Sequence, residues 1–196
     1  MSDSGRTATA ASGAGADAAD PDAAHPRTSA ASAVSTRLGR IEPEHRTAIE
    51  RIIRETGFFR ESEVRVALEV MDAFLENPDR DYSAVGAFTP GGDLVGYVCY
   101  GPTPCTTGTY DLYWIVVARE AQNSGAGTLL LQEMERRLAA MGARLVIIET
   151  SSQPLYHPTR AFYERRGYAE VARVPGFYDE GDDRVIFAKR IRHSSR

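Results

Sequence analysis

Cysteine is scarce in this 196-residue chain: Cys99 and Cys105 are the two, too few for a disulfide scaffold. Long apolar runs are missing as well. The longest, Leu112–Ala118, falls far short of the roughly 18 residues a membrane-crossing helix needs, so no membrane association is expected. The N-terminus lacks a basic patch leading into an apolar stretch, so no secretory signal is expected and the protein is placed in the cytoplasm. Positive charge is not in excess. The formal net charge of −4 argues against a nucleic-acid partner. No His/Cys/Asp spacing suggests a metal site.

Aromatic and branched aliphatic residues are nearly absent from the first 36 positions, where Val34 stands alone among 12 Ala, 6 Ser, 4 Thr and 3 Gly. Such a segment buries too little apolar surface to offset its ordering entropy. The expectation is a disordered tail over residues 1–35 and one domain over residues 36–193, a length that supports a single core.

Within that domain the periodicity changes twice. A short strand is expected around Val34–Ile41. Pro43 opens a helix that runs to Thr56 and stops at Gly57. Ser62 is read as the cap of a second helix reaching Glu76, and Asn77-Pro78 ends it. From Ser83 the pattern alternates: strands at Ser83–Thr89, Leu94–Tyr100 and Thr109–Ala118, the last apolar enough for burial on both faces. A Gly-containing loop at Gln122–Gly127 leads into a helix to Met141, with Leu129, Leu130, Met134 and Leu138 inward. A strand at Leu145–Thr150, a helix at Thr159–Arg166 and strands at Tyr168–Val174 and Arg184–Arg192 follow. The last two are joined by a turn-rich stretch, Pro175–Asp183. The order β-αα-βββ-α-β-α-ββ implies an α/β (α+β) domain, a mixed sheet with helices on its faces.

A strand, then Gln122-Asn123-Ser124-Gly125-Ala126-Gly127, then a helix is a geometry for binding an anion. Free N–H groups at the helix start point to the ligand, and glycine allows positive φ and close approach. It is not a phosphate loop of the Gly-Lys-Ser/Thr kind, and Leu130 spoils a dinucleotide fingerprint. With the downstream Ala161-Phe162-Tyr163-Glu164-Arg165-Arg166-Gly167-Tyr168, this order resembles the GNAT superfamily of acyl-CoA-dependent N-acetyltransferases, over about Thr36–Arg192. The resemblance implies a mostly antiparallel sheet with two splayed central strands, and acetyl-CoA as co-substrate. It further implies backbone contacts from Ile115, Val116 and Val117, and a pyrophosphate loop of Gln122, Asn123, Ser124, Gly125, Ala126, Gly127 and Thr128. The segments Tyr110–Trp114, Glu149–Ser152 and Phe177–Asp183 look like a branch whose substrate is uncharacterised. The closing hairpin is also similar to that of enzymes that acetylate ribosomal-protein N-termini. Those enzymes carry, seven residues before the helix Tyr, an Asn that touches the cofactor. Tyr156 stands at that cofactor-binding position here, in a longer loop.

Acetyl transfer needs a neutral amine. At pH 7 a lysine-type amine costs about 4.6 kcal/mol to deprotonate, an α-amine only about 1.0–1.4 kcal/mol. A base helps the first class most. Glu149, at the end of its strand, ranks first for that role. Asp111, on the strand before the loop, ranks second. Either carboxylate could instead cap a strand end or sit in a salt bridge. Tyr163 matches the family's proton donor to the leaving thiolate. Full transfer from an ordinary Tyr is roughly 2 kcal/mol uphill, so the expected contribution is a hydrogen bond to the sulfur. Of Phe162 and Tyr163, one is expected in the core and the other toward the cleft.

Other residues are weaker candidates. Cys99 and Cys105 could support an acetyl-cysteine route, but no His lies near them in sequence. His157 reads as a loop residue. Asp179, Glu180, Asp182 and Asp183 could draw a cationic amine, or form a solvated hairpin. Phe58 and Phe59 sit where the family shapes its acceptor site. The expected acceptor is a small-molecule amine or a peptide N-terminus. The rival reading is a non-catalytic acyl-CoA-binding sensor. A homodimer could form through strands near the C-terminus.

Overall fold

The change of period read near Ser83 separates two leading helices from a sheet-rich remainder. In a computed structural model, which describes residues 36–192, the first strand is β1 (Arg37–Gly39). Val34, the expected tail and His193 lie outside the described residues. Pro43 begins a 3-10 turn at Pro43–His45 that runs into α1 (Arg46–Thr56). Gly57 stops α1 in the left-handed conformation, φ 70°, as a C-terminal glycine does. Helix α2 (Glu61–Glu76) follows. Its start is held by Arg60, whose N–H donates to the Glu63 carboxylate at 2.7 Å, so Ser62 is not the cap.

The strands are β2 (Ser83–Phe88), β3 (Leu94–Pro102), β4 (Thr109–Val117), β5 (Leu145–Ser151), β6 (Ala169–Asp179) and β7 (Asp182–Arg190), with α3 (Ala126–Ala140) and α4 (His157–Glu164) between them. They form one seven-stranded sheet in the order β1-β2-β3-β4-β5-β7-β6. Every pairing is antiparallel except β4 with β5. Helices α1 and α3 both pack on β3, whose residues Leu94–Gly101 are buried, so both faces of the sheet are covered.

The parallel pair positions the site. β4 and β5 are in register from Thr109–Leu145 to Leu112–Ile148 and then part, although β4 continues to Val117 and β5 to Ser151. The expected splay is therefore present. It coincides with a bulge in β4: Cys99 pairs with Trp114 and Tyr100 with Leu112, leaving Tyr113 unopposed.

Three expectations need correction. The stretch read as turn-rich, Pro175–Asp183, is mostly strand, with β6 and β7 joined across Glu180-Gly181. Pro175 fits because β6 is an edge strand, and its pairing is irregular between Val174 and Asp179. Leu129 is 39% exposed, because the inward stripe of α3 runs Gly127, Leu130, Leu131, Met134, Leu138. Phe162 and Tyr163 are both fully buried; neither is left open to a cleft.

Candidate functional site

Past Leu112, β4 has no strand partner on its β5 side, so the backbone groups of Tyr113–Val117 that point away from β3 line the opening. Ile115, Val116 and Val117 themselves are buried. The chain then turns into α3 through the glycine loop. Gly125 is the N-cap at φ 86°, and Asn123 is also left-handed at φ 61°. A Cβ on Gly125 would meet nothing within 4 Å, so the loop presents bare backbone to open space. Ser124 Oγ donates to the Ala121 carbonyl at 2.6 Å and accepts the Ala126 N–H at 3.3 Å. Gln122 Nε2 donates to the Val117 carbonyl at 3.4 Å, tying the loop to the strand. The rest of the first turn has N–H groups with no acceptor inside the helix. These residues fit a pyrophosphate. A cation stands beside them: Arg166 lies over the Phe162 ring at 3.7 Å, donates to the Phe162 carbonyl at 3.1 Å, and reaches Thr128 Oγ1.

The two acids lie on one face of the sheet. Asp111 is in register with Ile147, and Glu149 and Ser151 follow Ile147 at the two-residue period of a strand. Both carboxyls have raised pKa values. Burial pushes Asp111 up, against a 2.8 Å hydrogen bond donated by Thr103 Oγ1. Burial also pushes Glu149 up, against the Arg184 guanidinium 3.0 Å away, and the Asp111 charge adds to the rise. Glu149 therefore has the salt bridge that was the bland expectation for it.

Tyr163 is on the opposite face. Its ring packs on Phe187 at 6.0 Å and Tyr168 at 5.9 Å. Phe187 pairs with Ile148, whose side points away from Glu149. Asp111 and Glu149 thus lie on one side of the sheet and Tyr163 on the other.

On the Asp111–Glu149 face a cavity of about 240 Å³ opens between the α1–α2 connection, the start of α2, β4 and the β6–β7 hairpin. Phe58, Glu63, Trp114, Gln153, Tyr178 and Asp182 contribute to its wall. Tyr156 also lines it, and its hydroxyl donates to the Phe58 carbonyl at 3.0 Å. Asp182 is buried and accepts hydrogen bonds from Ser151 Oγ and from Gln153 Nε2 at 3.0 Å. Glu149, Asp111 and Tyr163 do not line this cavity, but Tyr178 connects it to Glu149: burial, then the nearby Glu149 charge, holds the Tyr178 phenol above its ordinary pKa.

Of Phe58 and Phe59, Phe58 lines the cavity and Phe59 packs against the core. Of the four hairpin acids only Asp182 faces the cavity; Asp183 pairs with Arg173 at 3.3 Å and accepts the Gly176 N–H. Glu63, Trp114, Gln153, Tyr178 and Arg166 were missed. Trp114 lies in the apolar run and carried no polar signal, and Glu63 looked like an ordinary first-turn acid. Cys99 is buried and its thiol is pushed well above the usual range, which makes it a poor nucleophile; Cys105 is exposed. Among the described residues no group of His, Cys, Asp and Glu is placed to hold a metal ion, and no helix is long and apolar enough to cross a membrane.

Residues 46–168 match the Acetyltransferase (GNAT) family. A crystal structure from Desulfovibrio desulfuricans, of a protein assigned to the GNAT family of acetyltransferases, is similar at 40% identity and TM-score 0.77, covering 81% of this chain and 100% of that one. An aminoglycoside 6'-N-acetyltransferase complexed with coenzyme A has 20% identity and TM-score 0.66, over 82% of this chain and 99% of that one. The ribosomal-protein-S18-alanine N-acetyltransferase from Escherichia coli has 20% identity and TM-score 0.65, over 82% of this chain and 97% of that one. The last two share the fold. No curated protein matches the sequence.

Proposed function

The chain belongs to the GNAT acetyltransferase family, and from that premise we propose that it transfers an acetyl group from acetyl-CoA to a primary amine by direct attack in a ternary complex. The observation that carries this reading is the continuity of the splay, the glycine loop and the cavity. Trp114 of β4 and Ser151 of β5, on either side of the gap, line the cavity, and β4 runs on toward the α3 N-terminus, which suits a pyrophosphate. Acetyl-CoA would supply a thioester as acyl donor.

The chain's own residues then divide the work. The loop from Gln122 to Thr128 and the β4 edge at Ile115–Val117 hold and orient the donor. Tyr156, at the mouth of α4, borders the donor and the cavity. Glu149 takes the amine proton, through water because it does not line the cavity itself; Asp111 is the second choice. Burial raises the pKa of both carboxyls, which makes each a stronger base than an ordinary carboxylate. Tyr163 donates a hydrogen bond to the departing sulfur from the other face once donor binding uncovers its enclosed side chain. The acceptor is a small-molecule amine or a peptide N-terminus, and the protein works in the cytoplasm.

A non-catalytic acyl-CoA sensor is the second reading. The Glu149–Arg184 pair and the enclosed Tyr163 ring favour it. Thiol release from acetyl-CoA with a panel of amines, short peptides included, separates the two. Amine-dependent release supports the transferase. Acetyl-CoA binding with no release for any amine, and no effect of Tyr163→Phe, supports the sensor.

A further inference from the structure

Two residues of the cavity wall, Trp114 and Tyr178, each carry a buried polar atom without a hydrogen-bond partner among the described residues, the indole Nε1 and the hydroxyl. Trp114 is 1% exposed, and its indole N–H can only donate. A buried donor left unbonded is costly, so this one is suited to an oxygen on a ligand. It lies two residues past Leu112, where β4 and β5 part. A hydroxyl such as Tyr178's can also accept, so the pair can receive a ligand that has both an acceptor and a donor.

Charge narrows the ligand further. Asp182 and Glu63 are both at the wall; against them stands Arg60, 4.0 Å from Asp182, with a side chain 56% exposed to screening solvent. Asp182 is fixed by Ser151 and Gln153 and is not free to turn away. A cation is drawn to this wall, and a carboxylate on the ligand would face two acids.

We propose that the cavity selects amines carrying a neutral oxygen acceptor close to the nitrogen and no carboxylate. Trp114 Nε1 donates to that oxygen. The Tyr178 hydroxyl accepts from the ammonium before its proton is lost, and Glu63 and Asp182 supply the attracting field. An amino alcohol and an amide-flanked N-terminal amine share this chemistry. The inference rests on the cavity being the acceptor site.

Because Trp114 is the single tryptophan of the chain, it gives one indole N–H resonance. The nitrogen-15-labelled full chain, saturated with coenzyme A, is titrated with four matched amines: ethanolamine, glycinamide, glycine and propylamine. The expected result is a saturable downfield shift of the indole proton with ethanolamine or glycinamide, and none with glycine or propylamine. Whichever of the first two acts tells a free amino alcohol from an amide-flanked N-terminus. In thiol-release assays, the better oxygen-bearing amine should exceed propylamine in kcat/KM by several-fold to about tenfold, the worth of one hydrogen bond. Trp114→Phe, which keeps an aromatic ring, should erase that ratio. Glu63→Gln, which can still accept the Arg60 N–H, should narrow the bias against glycine. An indole resonance unmoved by either oxygen-bearing amine, or glycine binding as tightly as they do, overturns the proposal. Propylamine turning over as fast as ethanolamine overturns the selectivity and leaves acetyl transfer standing. A shifted indole without thiol release for any amine supports the selectivity and counts against transfer.

Discussion

Two carboxylates on one face, Asp111 and Glu149, are both made more basic by burial, yet their surroundings differ. Thr103 donates a hydrogen bond to Asp111, while Arg184 pairs with Glu149. A carboxyl whose pKa is raised becomes an ionised base only as the pH climbs through that raised value. At saturating amine, kcat should therefore fall as the pH drops, along a limb lying above the ordinary carboxylate range. Glu149→Gln should lower kcat by about 10²-fold or more and remove that limb, with Asp111→Asn milder. The opposite order of effects in the two pH profiles would make Asp111 the base. Tyr163→Phe tests the other side of the sheet. Losing a hydrogen bond to a developing thiolate should lower kcat by about 10- to 100-fold while KM for the amine holds steady. Because the ring is packed against Phe187 and Tyr168, a melting curve should accompany the kinetics.

At the scale of elements, the glycine loop is the clearest case of sequence dictating geometry. Gly125 sits at φ 86° with open space where a Cβ would go, so a larger residue there is strained and, if the loop holds acetyl-CoA as proposed, in the path of the donor. Gly125→Val should raise the Kd for acetyl-CoA at least tenfold in a calorimetric titration while the chain still melts cooperatively; unchanged affinity would mean the loop holds something else. This loop, the helix end at Gly57 and the four strands between Ser83 and Thr150 were legible because each rests on local chemistry: turn glycines, alternation, an apolar run. The cavity was not. Its wall joins Phe58 of the α1–α2 connection with Glu63, Trp114 and Asp182 of three separate elements, a grouping that only the tertiary fold makes. Leu129 shows a subtler failure. Three consecutive leucines in α3 cannot all face inward at 3.6 residues per turn, and composition alone does not say which one is left out. The hairpin was misread because Pro175 and Gly176 look like a turn, whereas an edge strand tolerates both.

At the scale of the whole molecule, we propose that one sheet supplies the two sides of the reaction. Its α2 face carries the acids and the cavity; its α4 face carries Tyr163; the gap between β4 and β5 connects them. The family match begins at residue 46, beyond the Ala-rich tail. We propose that the tail is dispensable for transfer. A chain starting at Ala33 should keep its turnover, and lost turnover in a folded product would overturn that. The edge strand β6 exposes Val171, Val174 and Phe177, the surface where a second copy could pair. Light scattering should then report a dimer, and Val171→Lys should shift it toward the monomer. The central claim, direct transfer in a ternary complex, is tested most directly by initial rates of thiol release with acetyl-CoA and an amine varied together. Intersecting double-reciprocal lines are the predicted result. Parallel lines, or no amine-dependent release at all, would contradict it.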